Sequence, residues 1–205
     1  MKIVLPRGRL LDDALELLRK AIPDLSIEQN RQLVQSNGEY QILLAKPTDV
    51  PTYVIEGADI GITGKDVVRE ESPDVFIPLS LPFGRCRISV ARPEGDPTPP
   101  EEMKGYRIAT EYPAITEGYF DSLDVEVEII VVDGSTELAP RAGIADAIVD
   151  VVQTGTTLVA NGLVEGETIM ESSALLLVNR ISQKTKFDLV NELVYSIRDV
   201  IRNGN

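Results

Sequence analysis

Histidine and tryptophan are absent from the 205 residues, and cysteine occurs once. Without an imidazole, Ser-His-Asp and Cys-His catalysis and histidine-built zinc sites are excluded. The lone cysteine, Cys86, excludes an internal disulfide and is no basis for a metal cluster, so packing is its expected role. Positive charge is scarce: 20 Lys and Arg stand against 33 Asp and Glu, a formal net charge of −13. A nucleic-acid backbone rewards a basic surface, so no nucleic acid is expected as partner. A small phosphorylated ligand remains compatible, because it needs only a local cluster of cations and helix termini while the distant field is screened within about 8–10 Å. No apolar run reaches spanning length, so no membrane is expected. Met1 to Pro6 enters an amphipathic pattern without a signal peptide, and the expected location is cytoplasmic.

What is present is ordinary for a globular protein: 43% hydrophobic and 26% charged residues, enough for one domain or two small ones. The chain is organised around Val131 to Leu158, VVDGSTELAPRAGIADAIVDVVQTGTTL. Within it Ala145 to Val152 reads as a buried strand, with Asp150 expected to end it directly before a hydroxyl-rich loop, Thr154-Gly155-Thr156-Thr157. Leu158 to Gly162 then reads as a helix closed by glycine. Strand, small loop and helix start in that order build an anion site, because the first helical N–H groups lack internal partners and carry partial positive charge. Thr154, Thr156 and Thr157 add hydroxyl donors, and Gly155 lets the backbone approach. The alternative is a plain connection in which one threonine caps the helix. Asp150 and Glu137 add carboxylates, which beside a phosphate suit sugar hydroxyls or a magnesium ion; otherwise Asp150 caps the turn.

Along the rest of the chain, Lys2–Pro6 reads as a strand and Leu10–Ala21 as a helix, with Arg7-Gly8-Arg9 between them. Open α/β folds place ligands at that position, although solvated arginines would look the same. Arg31 offers a second cation within the ambiguous Ile27–Val34. Further strands are expected at Tyr40–Ala45, Asp59–Thr63, Val75–Leu81, Arg85–Ala91, Tyr106–Thr110, Val125–Val132 and Ile169–Val178. Helices are expected after Asp49, as N-cap, and after Gly64, then at Ala114–Leu123 and Lys184–Arg202. Arg92 to Pro100 is a proline-rich surface loop. The alternation implies an α/β fold with largely parallel sheets. We read two lobes, 1–86 plus 173–205 and 87–172, with the arginines on one and the threonine loop on the other, facing across a cleft.

These segments resemble the catalytic chain of the ATP phosphoribosyltransferase family in its short form. Gly134 to Leu163, GSTELAPRAGIADAIVDVVQTGTTLVANGL, carries most of the resemblance, supported by PRGRL at 6–10, DVPTYV at 49–54, DIGITGKDV at 59–67 and VNRISQKTKF at 178–187. The resemblance implies two lobes like the type II periplasmic binding proteins, with ATP and phosphoribosyl pyrophosphate as substrates and pyrophosphate as product. It implies that Gln153, Thr154, Gly155, Thr156 and Thr157 cradle the sugar 5-phosphate, with Glu137 and Asp150 near the ribose and Mg2+. It places Arg9 and Arg31 at the pyrophosphate and nucleotide phosphates, with Arg7 and Gly8 beside them. It also implies a homo-oligomer joined to a regulatory subunit similar to histidyl-tRNA synthetase, since the chain stops at Asn203-Gly204-Asn205 where long forms continue into a histidine-binding domain. Three departures stand out. Arg7 and Glu111 occupy positions where lysine is usual, and the segment before Asp59 is one residue short. The rival readings are a two-lobed binding protein without turnover and a purely regulatory subunit.

Overall fold

The protein is described by a computed structural model over residues 1–27 and 32–204. The chain divides into two units, Met1–Gly84 with Ser173–Asn205, and Arg85–Ser172. It therefore crosses between them twice, at Gly84-Arg85 and at Ser172-Ser173.

The first unit contains β1 (Lys2–Pro6), α1 (Leu11–Ala21), β2 (Val34–Asn37), β3 (Tyr40–Ala45), α2 (Val50–Ile55), β4 (Ile60–Gly64), α3 (Lys65–Glu71) and β5 (Phe76–Ser80). The second holds β6 (Cys86–Pro93), β7 (Arg107–Thr110), α4 (Pro113–Ser122), β8 (Glu128–Val131), α5 (Leu138–Arg141), β9 (Ala147–Val152), α6 (Thr156–Ala160) and β10 (Leu163–Ser172). The chain then returns to the first unit with β11 (Ala174–Val178), α7 (Arg180–Thr185) and α8 (Phe187–Asn203).

Strand order in the first sheet is β2-β3-β1-β4-β11-β5. Side chains alternate across a strand, so β1 sends Ile3 and Leu5 toward α1 and α8, where they meet Leu15, Leu18, Val190 and Ile197. Val4 goes to the other face, with Val50 and Val54 of α2. Burial on both faces explains why β1 reads as a near-continuous apolar run. The second sheet, β10-β6-β9-β7-β8, works the same way. Ile88, Val90, Ile108 and Val149 pack with Ile115 and Phe120 of α4, while Ala91, Ile148, Val152 and Leu158 fill the opposite face under α5 and α6.

Both sheets are mixed, which corrects the expectation of largely parallel ones. β1 pairs parallel with β3 and β4, and β7 with β8 and β9. β2–β3, β4–β11, β5–β11, β6–β9 and β6–β10 are antiparallel. Alternation of strands and helices reports the βαβ units but not the hairpin of β2 and β3, whose turn uses Gly38 at φ +57°, nor the returning strands β10 and β11.

Four local expectations also change. Ile169–Val178 is not one strand: it splits at Ser173, where the chain leaves one sheet for the other. An apolar run carries no mark of that change. The closing helix is two helices broken at Lys186. Asp49 holds the N-cap position without a capping side-chain bond, because a preceding 3-10 turn already gives it helical angles. The helix after the threonine loop begins at Thr156 rather than Leu158.

Candidate functional site

In the second unit the sequence-predicted loop follows β9, but Asp150 does not end that strand, which runs two residues further to Val152. Asp150 therefore lies on the sheet face shared with Val152 and Ile148, paired in register with Ser89 of β6. The loop turns at Gly155, whose φ of +77° lies in the left-handed region that glycine enters without a Cβ penalty. Gly155 is the N-cap of α6, a helix of only 5 residues. Its dipole is correspondingly small, so hydroxyls carry more of any anion affinity than the helix does. The Oγ atoms of Thr154 and Thr156 lie 2.9 Å apart, and the Thr156 amide approaches Thr154 Oγ at 3.5 Å. Gln153, Thr154, Thr156 and Thr157 are exposed and Gly155 partly so, which leaves the hydroxyls accessible to a ligand.

Asp150 and Glu137 come together here. Thr136, fully buried, donates its hydroxyl to one carboxylate oxygen of Asp150, and the Val151 amide donates to the other at 2.6 Å. Burial pushes the Asp150 carboxyl above its ordinary value; the Thr136 and Val151 bonds oppose this, and the negative charge of Glu137 adds to it. Glu137 stands at the start of α5. Glu111, where the resemblance leads one to expect lysine, accepts the Gly134 amide at 2.6 Å and so fixes the start of the GSTELAP segment. A lysine has no acceptor for that bond. Burial, then the charges of Asp150, Asp133 and Glu137, raise the Glu111 carboxyl despite the Gly134 bond. The corner is a concentration of carboxylates that gains from hydroxyl donors or a cation.

Glu137 and Asp150 supply the hard oxygen donors that suit Mg2+, yet among the described residues no group of three or more acidic, cysteine or histidine side chains is arranged to hold a metal. The pair fits an ion of the kind held by one or two carboxylates, its remaining positions filled by water and phosphate oxygens.

In the first unit, Arg7, Gly8 and Arg9 are exposed at the carboxyl end of β1. Gly8 takes φ +85° and its carbonyl receives the Leu11 amide at 3.0 Å, turning the chain into α1. The Arg7 amide bonds to Ala45 of β3 at 2.7 Å. Arg9 Nη1 donates to the Gly84 carbonyl at 3.0 Å, which orients the guanidinium. Arg31 lies outside the described residues.

Several polar residues with no evident role in the sequence also stand out. Thr136 fixes Asp150, and lies within the segment already singled out. Arg87 and Ser89 both donate to Glu165 beside the loop, with no local sequence signal, because 78 residues separate Arg87 from Glu165. Among the described residues no helix is long and apolar enough to cross a membrane.

Comparison with known proteins gives one family. Residues 46–199 match the family model described as ATP phosphoribosyltransferase. The chain is 58% identical over 204 residues to an ATP phosphoribosyltransferase of Thermococcus gammatolerans, covering all of both chains. It is 54% identical over 198 residues to one from Pyrococcus furiosus, covering 97% of each. A solved ATP phosphoribosyl transferase (HisG:HisZ) complex from Thermotoga maritima contains a chain 33% identical to this one, with TM-score 0.87 and 99% of each chain covered. The periplasmic aliphatic sulphonate binding protein SsuA from Escherichia coli, at 13% identity and TM-score 0.64, covers all of this chain and 74% of its own. That likeness shows the fold alone.

Proposed function

The chain belongs to the ATP phosphoribosyltransferase family, the enzymes of the first step of histidine biosynthesis, and from that premise we propose how its residues share the reaction. The observation that carries the reading is the loop after β9. The hydroxyls of Thr154 and Thr156 meet beside Gly155 in its left-handed turn, and the strand leading into it carries Asp150, one of a carboxylate pair suited to a ribose. On this reading Gln153 to Thr157 hold the sugar 5-phosphate of phosphoribosyl pyrophosphate. Asp150, oriented by Thr136, and Glu137 meet the ribose hydroxyls and would hold Mg2+ when it is bound. Such an ion would supply positive charge to the pyrophosphate oxygens.

The nucleophile is a ring nitrogen of adenine, which carries its own lone pair. No protein base has to remove a proton before it attacks the anomeric carbon, in keeping with a chain that lacks histidine. As the nitrogen–carbon bond forms, the bond from that carbon to the pyrophosphate oxygen breaks, through an oxocarbenium-like transition state and with inversion. Negative charge grows on the departing pyrophosphate, and on this reading Arg9 meets it, with Arg31 at the nucleotide phosphates and Arg7 and Gly8 beside Arg9. Arg7, standing where the resemblance expects lysine, offers a planar fork in place of a point charge.

The partner we propose is a regulatory subunit similar to histidyl-tRNA synthetase, bound to a homo-oligomer of this chain in the cytoplasm. It is supported by the Thermotoga maritima relative, solved as a complex of two kinds of chain. The deciding assay is pyrophosphate release from ATP and phosphoribosyl pyrophosphate, with and without such a subunit. A binding protein of the same fold would hold phosphoribosyl pyrophosphate and release none.

A further inference from the structure

The face of the second sheet beneath the threonine loop carries a polar network that the reaction above does not use. Arg87 and Ser89 of β6 face the side occupied by Ala91 and Leu158, and their register partners on β9 are Val152 and Asp150. Nε and Nη2 of Arg87 each donate to one Glu165 oxygen at 2.5 Å, and Nη1 donates to the Gln153 carbonyl at 3.3 Å. Ser89, fully buried, donates its hydroxyl to Glu165 at 2.8 Å and lies 3.3 Å from the Thr168 hydroxyl. Glu165 reaches this place because β10 is irregular between Glu165 and Thr168. Gly166 permits the irregularity: a Cβ there would come within 2.8 Å of Arg92 Nη2 and 3.3 Å of the Val90 carbonyl.

The network touches the loop at both ends of its turn. Arg87 holds the carbonyl of Gln153, where the loop begins, and Glu165 Oε2 lies 3.8 Å from where a Cβ on Gly155 would stand. A carboxylate in that position repels a phosphate bound to the loop unless a cation covers it. The Arg87 bond holds the Glu165 carboxyl below its ordinary value, so the group is ionised at neutral pH and needs that cover.

We infer that Arg87 and Glu165 are a positioning pair for the phosphate loop, in which Arg87 fixes the Gln153 carbonyl and cancels a carboxylate that would otherwise repel the sugar phosphate. The inference rests on the reading of Gln153 to Thr157 as the phosphate site. A pair that only stapled β6 to β10 would affect both substrates alike.

The test is calorimetric binding of phosphoribosyl pyrophosphate and of ATP, in Mg2+, to the full chain and its variants. Arg87→Met should weaken phosphoribosyl pyrophosphate on the order of tenfold and ATP by less than about twofold. Adding Glu165→Gln to Arg87→Met should recover at least half of the loss on a logarithmic scale, because the uncovered charge is gone. Glu165→Gln alone, which keeps an acceptor for Arg87, should bind as tightly as the parent or more so. Arg87→Lys, the variant to use if Arg87→Met does not fold, should bind more weakly than the parent, since an ammonium cannot span both Glu165 oxygens and the Gln153 carbonyl. Unchanged binding in Arg87→Met or Arg87→Lys, an equal loss for ATP, or no recovery in the double variant overturns the inference. Thr157→Val separates the two readings: if it leaves phosphoribosyl pyrophosphate affinity unchanged, the loop itself is not the phosphate site. If it weakens binding while Arg87→Met does not, only the pair is dismissed.

Discussion

Thr157 is exposed at the start of α6, and Thr157→Val keeps its shape while removing the hydroxyl. A hydrogen bond to a charged group is worth about 1.5–3 kcal/mol, so the variant should raise the apparent constant for phosphoribosyl pyrophosphate and leave the one for ATP in place. Steady-state kinetics in each substrate checks this, and equal constants in parent and variant would remove the hydroxyl from the site. Arg9 makes a different prediction, because its charge matters where charge develops. Arg9→Ala should lower turnover on the order of 10² to 10³, more than it weakens ground-state binding, and Arg9→Lys should recover part of the rate. Normal turnover of both at saturation would return Arg9 to the status of a surface residue held by the Gly84 carbonyl. The loop was legible in the sequence as a turn because its residues are contiguous and glycine with hydroxyls favours turns. Thr136 and the Arg87–Glu165 pair were not, because register between distant strands makes their contacts. Glu111 was read only as a departure from an expected lysine. The Gly134 amide supplies what a list of residue types cannot, a partner that requires an acceptor.

The junction from β11 to α8 shows what a polar run can hold at the scale of elements. Its segment, VNRISQKTKF, entered the sequence reading as part of a resemblance without a role; in the structure it is a lock. Asn179 caps α7, accepting the Ile181 and Ser182 amides at 2.8 Å each, and its amide donates to the Val54 carbonyl at 2.6 Å and the Ile55 carbonyl at 3.2 Å. Asp59, 1% exposed, accepts the Lys2 amide at 2.7 Å, the Ser182 hydroxyl at 2.6 Å and the Lys186 ammonium at 2.8 Å. One carboxylate thus ties β1 to α7 and to the break before α8. Burial acts to raise its pKa, but the Lys186, Ser182 and Lys2 bonds outweigh burial and lower it. A lowered value means that the stabilisation is present above the unfolded pKa and disappears as pH falls through the folded one, below about pH 4. Asp59→Asn should cost about 1–3 kcal/mol near pH 7, with the cost held down because Lys186 is half exposed and can return to water. Thermal melts of parent and variant should differ at pH 7 and converge below pH 4; a constant difference across that range would mean that shape, not charge, is at stake. Most strands and the longer helices were readable from periodicity, whereas β2, β10 and the short α5 were not, and ends and breaks depended on such long-range bonds.

At the scale of the whole molecule, the sequence reading divides the chain near 86/87 and 172/173, and contacts divide it at Gly84-Arg85 and Ser172-Ser173. The proline-rich stretch from Arg92 to Pro100 lies inside the second unit, and the crossings fall within runs that read as ordinary strand and turn. Regulation belongs to this scale too. Inhibition by a small molecule is a coupling free energy between two sites, and it requires a site that binds one state of the enzyme better than another. The threonine loop and arginines suit phosphates, and the carboxylate corner at Glu111, Glu137 and Asp150 concentrates negative charge, which opposes a free amino acid's carboxylate. If the proposed regulatory subunit carries the histidine site, the coupling resides there and reaches this chain through their interface. Activity of the isolated chain should be flat in histidine concentration, and a saturable inhibition curve should appear once the subunit is added. Because linkage is reciprocal, phosphoribosyl pyrophosphate or ATP should in turn weaken histidine binding to the complex by the factor that histidine weakens theirs, which calorimetry on the complex measures directly. Full inhibition of the isolated chain by low concentrations of histidine would place the regulatory site within these residues and remove the subunit from the argument.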